Sequence, residues 1–122
     1  MNFIWVGIGS AAGSMLRYGI SVLLVSKTNL FPWATLCANF LGCLIFGIIY
    51  NWLSLQNPEN QLYKLLLLTG FCGGFTTFST FAAETILFFK LGSYSLGVLY
   101  VLLSLILCFL GIWAGSKLIV LR

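Results

Sequence analysis

The chain has 122 residues, 61% of them hydrophobic and only 7% charged, and its mean hydropathy is +1.08. A soluble domain of this length could not bury so much apolar surface, so the sequence predicts a single all-α domain over residues 1–122 that lies in a membrane. The net charge of +4 comes from six cations scattered along the chain, which argues against the basic patch that a nucleic-acid partner would need.

Four apolar segments are each long enough to cross the hydrocarbon core as a helix. We predict them over residues 3–25, 31–53, 62–91 and 96–121, with the third interrupted near residues 70–81. The first segment is too long for a signal peptide and contains Arg17. Four helices are too few to surround a pore comfortably, which favours a homo-oligomer.

The predicted loops carry almost equal numbers of cations on the two sides of the membrane. Lys64, Lys117 and Arg122 fall on one side, and Lys27 and Lys90 fall on the other. Because an excess of Lys and Arg normally sets the orientation, this near balance suits insertion in both directions followed by antiparallel pairing.

The first segment combines small residues with one arginine. Gly9 and Gly13 are four residues apart, the spacing that lets membrane helices approach closely, and we interpret them as helix packing. Arg17 either extends to the lipid headgroups or faces a polar vestibule, where its fixed charge would raise the local anion concentration.

The second segment places Thr35 and Asn39 four residues apart, on one face of a helix. The Asn39 amide supplies two N–H donors, which suit either a desolvated anion or a hydrogen bond to a neighbouring helix. The residue types alone leave both roles open.

The third segment contains the most informative stretch, residues 70–81, where three glycines and four Ser or Thr residues interrupt an apolar span. Freed backbone groups find no water in hydrocarbon, so we predict a helix break that is buried in protein or lines a polar cavity. The carbonyl groups of residues 73–76 would then lack helical partners. Contributed by two subunits, they would suit a small dehydrated cation such as Na⁺.

Phenylalanines recur every three residues in the same stretch. We expect Phe75, Phe78 and Phe81 to line one side of the helix, interleaved with hydroxyls that include Ser79 and Thr80. Such a stripe either packs in the core or turns its positively polarised ring edges toward a small anion.

The fourth segment spaces Tyr100, Ser104 and Cys108 four residues apart, in one nearly continuous stripe. The stripe is either a polar track or a set of separate side chains, in which Ser104 makes the usual hydrogen bond back to its own helix.

Residues that metal or nucleophilic chemistry would need are missing from the sequence. The chain has no histidine, and its four cysteines lie inside predicted spans, where we interpret them as small apolar side chains: Cys37, Cys43, Cys72 and Cys108. The only carboxylates are Glu59, in a loop, and Glu84, in the third segment. No base is placed to activate a Ser or Thr nucleophile, so the sequence predicts that the protein is not an enzyme.

Taken together, these segments resemble the Fluc/CrcB fluoride channels, which are small dual-topology membrane proteins, over essentially the whole chain. Four motifs carry the resemblance: Gly9-x-x-x-Gly13-x-x-x-Arg17-Tyr18; Thr35-Leu36-x-x-Asn39-x-x-Gly42-x-x-x-x-Gly47; Gly70-Phe71-x-Gly73-Gly74-Phe75-Thr76-Thr77-Phe78-Ser79-Thr80-Phe81 with Glu84; and Tyr100-x-x-x-Ser104. The third of these motifs is specific to the family. The other three are weak alone, but their order and spacing support the resemblance.

The resemblance implies an antiparallel homodimer with two separate fluoride pathways, which passively exports cytoplasmic fluoride through the cell membrane of a bacterium. A heterodimer with a paralogue is the alternative assembly. Cys108 stands where the family commonly has a small or hydroxyl residue.

Roles for individual residues follow from the same resemblance. It implies a structural Na⁺ at the dimer centre, held by the backbone carbonyls of Gly73 and Thr76, with Arg17 and Glu84 in the vestibules. The implied fluoride pathway comprises Thr35, Asn39, Phe78, Ser79, Thr80, Phe81, Tyr100 and Ser104.

Two other functions compete with this interpretation. A small proton-coupled multidrug exporter also has four helices in an antiparallel dimer, but it needs a carboxylate at the membrane centre. The first segment offers only an arginine, and Glu84 lies about two turns from the end of the third segment. A non-transporting assembly protein would leave the interrupted third segment and its hydroxyls unexplained.

Overall fold

The computed structural model describes residues 1–24, 31–56 and 58–120, and over these residues the chain is helical without strands, which confirms the predicted all-α fold. In chain order the elements are α1 (Asn2–Leu24), α2 (Trp33–Gln56), α3 (Gln61–Tyr63), a π-helix (Lys64–Cys72), α4 (Gly73–Phe75), α5 (Phe78–Lys90) and α6 (Tyr94–Val120). The loop residues Lys27 and Asn57 and the terminal Arg122 lie outside the described residues.

In the part of the chain that the structure describes, three helical stretches are long and apolar enough to cross a membrane: Trp33–Gln56, Gln61–Lys90 and Tyr94–Ile119. They correspond to the second, third and fourth predicted segments. The first predicted segment also forms a long helix, the 23-residue α1. The glycines, serines and Arg17 of α1 lower its hydropathy, so length and composition alone do not identify α1 as a membrane span.

The third stretch begins with a helix that is wider than a regular α-helix. The nine residues Lys64–Cys72 form a π-helix, in which hydrogen bonds join residues five apart. The side chain of Asn60 caps the preceding turn by accepting from the Tyr63 N–H at 3.1 Å. Long π-helices are rare, and the apolar sequence of this stretch did not predict one.

Glycines allow α1 to lie directly against the π-helix. A side chain at Gly9 would overlap the carbonyl oxygen of Leu66, and one at Gly13 would overlap the carbonyl oxygen of Phe71, both in the π-helix. The spacing of these two glycines predicted close helix packing, and these contacts confirm it.

A second glycine contact joins α2 to α6. Gly47 faces the backbone of α6, and Gly115 faces the backbone of α2, so the two helices approach without intervening side chains. Asn51 reinforces the pairing, because its Nδ2 donates to the carbonyl oxygen of Ser116 at 2.8 Å.

The buried core lies where α2, α5 and α6 meet. Tyr100 is fully buried, and Leu36 and Phe88 expose no more than 5% of their surface. Phe81, at the beginning of α5, packs against this cluster. The core therefore fixes the relative positions of the three helices that carry the candidate site.

Candidate anion pathway and helix break

The interruption in the third stretch consists of two extended residues. Thr76 has φ/ψ of −84°/158° and Thr77 has −147°/114°. Asn39 on α2 pairs with this segment: its Nδ2 donates to the Thr77 carbonyl oxygen at 3.1 Å, and its Oδ1 accepts from the Thr77 N–H at 2.8 Å. Asn39 thus makes the interhelical hydrogen bond that was one of its two candidate roles.

Two backbone carbonyls at the break are released from helical pairing, one by Asn39 and one by the Thr77 hydroxyl. In a continuous α-helix the Gly73 oxygen would accept from the Thr77 N–H, but that group bonds Asn39 instead. The Thr76 oxygen would likewise accept from the Thr80 N–H, which donates to the Thr77 hydroxyl at 3.3 Å. Gly73 and Thr76 also line a single cavity of about 240 Å³. These two carbonyls therefore fit the ligand type that Na⁺ prefers.

Arg17 extends to the helix break. Its Nε donates to the carbonyl oxygen of Gly74 at 3.2 Å. It also lines a cavity of about 180 Å³ together with Thr35, Thr77 and Thr80. A fixed cation in the wall of a polar cavity raises the local concentration of anions. The vestibule role of Arg17 stays a prediction, and this position would suit it.

Glu84 connects two of the hydroxyls that we predicted to lie on one pathway. Thr35 donates to its Oε1 at 2.8 Å, and Tyr100 donates to its Oε2 at 2.7 Å. The three residues come from α5, α2 and α6, and both hydroxyl-bearing side chains are buried. The sequence predicted each residue separately but did not predict that the carboxylate holds both hydroxyls.

Ser104 is a buried polar side chain with an unsatisfied hydroxyl. It exposes 4% of its surface, and its Oγ has no hydrogen-bond partner among the described residues. Of the two roles that the sequence left open for Ser104, the bond back to its own helix is therefore not made. Leaving a buried hydroxyl unpaired costs about 1–3 kcal/mol, so the position calls for a ligand, an ion or water. Ser104 lies one turn from Tyr100 on α6.

Two phenylalanines lie beside this polar cluster. The ring centroids of Phe78 and Phe81 are 5.6 Å apart, and Phe81 is 5.2 Å from the ring of Tyr100. Phe78 exposes 77% of its surface. Phe75 does not continue the row, because it is buried and stacks on Phe71 at 5.8 Å. The prediction of three phenylalanines on one side is wrong for Phe75: two extended residues separate it from Phe78.

Hydroxyls gather where α5 begins. The Thr77 Oγ1 donates to the Thr80 Oγ1 at 3.0 Å and lies 3.4 Å from the Ser79 Oγ. Sequence reasoning gave pathway roles to Ser79 and Thr80 but none to Thr77, which contributes its N–H, its carbonyl and its hydroxyl to the break. The signal was present, because threonine is favoured at the residue that caps a helix N-terminus.

Comparison with known proteins assigns the chain to a family. Residues 4–116 match the family described as CrcB-like protein, Camphor Resistance (CrcB). The chain belongs to the CrcB-like family. All the predicted site residues, from Arg17 to Ser104, lie inside the matched region.

Relatives in this CrcB-like family match nearly the full chain and carry one name, fluoride-specific ion channel FluC. The protein from Coxiella burnetii is 42% identical over 119 residues, which is 94% of each chain. The protein from Ruminiclostridium cellulolyticum is 42% identical over 97% of this chain and 92% of its own. The protein from Flavobacterium psychrophilum is 36% identical over 93% of each chain. With its three long apolar stretches, this CrcB-like chain is a multi-pass membrane protein.

Proposed function

We propose that this protein is a fluoride-specific ion channel that passively exports cytoplasmic fluoride through the cell membrane of a bacterium and so relieves fluoride toxicity. The observation that carries the proposal is the match to channels of that name, at 36–42% identity over more than nine-tenths of the chain. A channel needs no catalytic group, so the proposed function is not an enzymatic one.

The fluoride pathway follows the polar cluster between α2, α5 and α6. Fluoride holds its hydration water strongly, so a pore must replace that water with fixed donors and positively polarised groups. The donors proposed here are hydroxyls and one amide, next to the ring edges of two phenylalanines. The unsatisfied, buried hydroxyl of Ser104 supports a pathway at this position. The proposed pathway comprises Thr35, Asn39, Phe78, Ser79, Thr80, Phe81, Tyr100 and Ser104.

Four membrane helices, formed by α1, α2, the interrupted third stretch and α6, pair with a second copy in the opposite orientation. Phe78 supports this arrangement, because a pore residue that exposes 77% of its surface in one subunit needs a partner to enclose it. The nearly equal loop cations support insertion in both directions. The chain contains both the pore motifs and the Na⁺-site motifs, which favours a homodimer over a heterodimer with a paralogue.

The Gly73 and Thr76 carbonyls of both subunits would hold a structural Na⁺ between the two copies. The redirected N–H groups of Thr77 and Thr80 support this site, since they leave those carbonyls without their helical donors. Bound there, Na⁺ would place positive charge between the interrupted helical stretches of the two subunits. Arg17 and Glu84 act in the vestibules, Arg17 by attracting anions and Glu84 by orienting the hydroxyls of Thr35 and Tyr100.

Efflux from liposomes tests the function directly. We expect the purified protein to release fluoride from loaded liposomes and to release chloride no faster than protein-free liposomes do. Equal release of chloride and fluoride would contradict selectivity, and no fluoride release by a folded protein would contradict the function.

The competing function, proton-coupled multidrug export, has one observation in its favour: Glu84 is a carboxylate held by two hydroxyls between helices. A pump must protonate and deprotonate such a carboxylate in every cycle, so Glu84→Gln would stop it. A channel needs no such cycle, and we expect Glu84→Gln to change the fluoride rate without abolishing it.

A further inference from the structure

A second large cavity lies between α2 and the π-helix, and the proposed fluoride pathway does not use it. Its volume is about 330 Å³. Lys64 is the only charged residue among the described residues that line it. The cavity therefore combines a positive charge with a space that no other part of the proposed function explains.

The position of the cavity is at the predicted surface of the membrane. α2 ends at Gln56 and the third stretch begins at Gln61, so the residues near these ends lie at the edge of the hydrocarbon. The rings of Trp52 and Tyr63 are 6.0 Å apart at the same edge, and these residue types are enriched at the level of the lipid headgroups. A group bound in the cavity would therefore lie among the headgroups.

The π-helix determines which of its side chains face the cavity. Lys64, Leu68 and Thr69 all line it. In a regular α-helix, with 3.6 residues per turn, a residue five positions after Lys64 would point to a different side. In a π-helix the hydrogen bonds join residues five apart, so positions 64 and 69 follow each other along one side. The wider helix therefore brings the Thr69 hydroxyl to the same cavity as the Lys64 ammonium.

The polar side chains of the cavity suit a phosphate group. The Lys64 Nζ donates to the Pro58 carbonyl oxygen at 2.5 Å, and this bond uses one of the three N–H donors of an ammonium. No carboxylate is among the described residues that line the cavity, so no anion there competes for the positive charge. With the hydroxyl-bearing side chains of Tyr50 and Thr69, the cavity offers one cation and two further donors to an anion.

The apolar part of the lining favours a lipid over a free anion. Leu53 is buried beside the polar groups, and Leu68 also lines the neighbouring cavity of about 240 Å³, which continues along α2 to Phe46. A free phosphate gains nothing from apolar walls. The acyl chains of a phospholipid, which are joined to its phosphate through glycerol, would cover them.

We propose that this cavity binds the headgroup of an anionic phospholipid, with Lys64 and Thr69 holding the phosphate and an acyl chain lying along Leu68. Basic pockets between membrane helices are a type of site that binds such headgroups. The preference for an anionic over a zwitterionic lipid follows from charge, because the positive charge of Lys64 is neutralised only by a ligand with a net negative charge. The binding does not rest on the proposed function.

Titration of the delipidated protein in a nonionic detergent, followed by native mass spectrometry, tests the binding. We expect phosphatidylglycerol to bind at least about fivefold more tightly than phosphatidylcholine with the same acyl chains. Lys64→Gln should remove this preference. Lys117→Gln is the matched control, because it removes the same charge from an exposed lysine of α6, and it should keep the preference. Lys64→Arg should also keep it, since arginine binds phosphate as well.

The contribution of the π-helix is tested with Thr69→Val, which keeps the shape of the side chain and removes its hydroxyl. We expect this variant to bind phosphatidylglycerol about three- to tenfold more weakly, as the loss of one hydrogen bond predicts. Unchanged binding would overturn the role proposed for Thr69. Both Lys64 and Thr69 are exposed, so the variants should fold, and thermal unfolding checks that they do.

Inorganic phosphate distinguishes a lipid site from a general anion site. A large excess of phosphate should displace little of the bound phosphatidylglycerol, because phosphate gains nothing from the apolar walls. Displacement of the lipid by phosphate would overturn the proposal in favour of a general anion site. Equal affinity for the two lipids, or equal effects of Lys64→Gln and Lys117→Gln, would also overturn it.

Discussion

Phe81 and Phe109 are both phenylalanines, but one is packed against the core and the other is exposed. Phe81 packs on the buried Tyr100, whereas Phe109 exposes 73% of its surface on α6. Isoleucine at position 81 keeps the bulk but removes the ring quadrupole, so we expect Phe81→Ile to lower fluoride efflux at least about tenfold, or about 1.4 kcal/mol in the barrier. Phe78→Ile should behave alike, and Phe109→Ile should leave the rate unchanged. Wild-type efflux from folded Phe78→Ile and Phe81→Ile dimers would show that the two rings are only packing.

Ser104 allows function to be separated from stability. Its hydroxyl is buried without a partner, so Ser104→Ala should keep or raise thermal stability, by up to about 1–3 kcal/mol, because a desolvated group is removed. The same change should lower fluoride efflux, since a donor is lost from the pathway. Ser54→Ala is the control, because Ser54 is exposed and bonds its own helix at Tyr50. A clear loss of stability in Ser104→Ala would mean that the hydroxyl has a structural partner.

The packing of α1 on the π-helix depends on the absence of a side chain at Gly9. Alanine there would overlap the Leu66 carbonyl, and we expect Gly9→Ala to destabilise the protein by about 1–3 kcal/mol. Gly19 lies in the same helix, and a side chain there would meet nothing within 4 Å. Gly19→Ala should therefore be neutral or stabilise the helix by up to about 1 kcal/mol. Thermal unfolding in detergent measures both, and equal melting temperatures would contradict the packing argument.

The sequence predicted the features that depend on residues within a single segment. Apolar length located the segments, the spacing of Gly9 and Gly13 gave the contact of α1, and the run of glycines and threonines gave the region of the interruption. It did not predict the π-helix, or the carboxylate of Glu84 between two hydroxyls. Both features depend on contacts with other helices, and the residue pattern within one segment does not show which helices will be in contact. Phe75 was misplaced for the same reason, because its direction depends on two extended residues after it.

Dual insertion of the whole molecule is measurable with single cysteines. In a background lacking the four native cysteines, Ser93→Cys lies in the turn between α5 and α6, and Asn57→Cys lies in the sequence before α3. An impermeant maleimide added to intact cells should label roughly half of each variant, because the loop cations barely favour one orientation. Permeabilised cells give the total for comparison. If each position is labelled from one side only, the antiparallel dimer is wrong.

The proposed central Na⁺ joins the two subunits, so its removal should affect the whole assembly. Replacing Na⁺ by a large organic cation during preparation should reduce fluoride efflux or increase the monomer fraction in size-exclusion chromatography, because four carbonyls would face one another without a cation. Thr76→Val should matter less than Na⁺ removal, since the side-chain hydroxyl bonds Cys72 and the proposed ligand is the backbone carbonyl. Unchanged flux and dimer fraction without Na⁺ would count against the metal.

The two extended residues also divide one long helical stretch into two helices whose dipoles end at the same depth. The carbonyl end that finishes at Phe75 carries a partial negative charge, and the N–H end that begins at Phe78 carries a partial positive one, each about half an elementary charge. The guanidinium of Arg17 lies on the negative end, through the Gly74 carbonyl. The hydroxyl of Thr77 lies on the positive end, where it accepts from the Thr80 N–H. A single interruption therefore creates a cation-attracting surface and an anion-attracting surface side by side, without using a single additional charged residue inside the membrane.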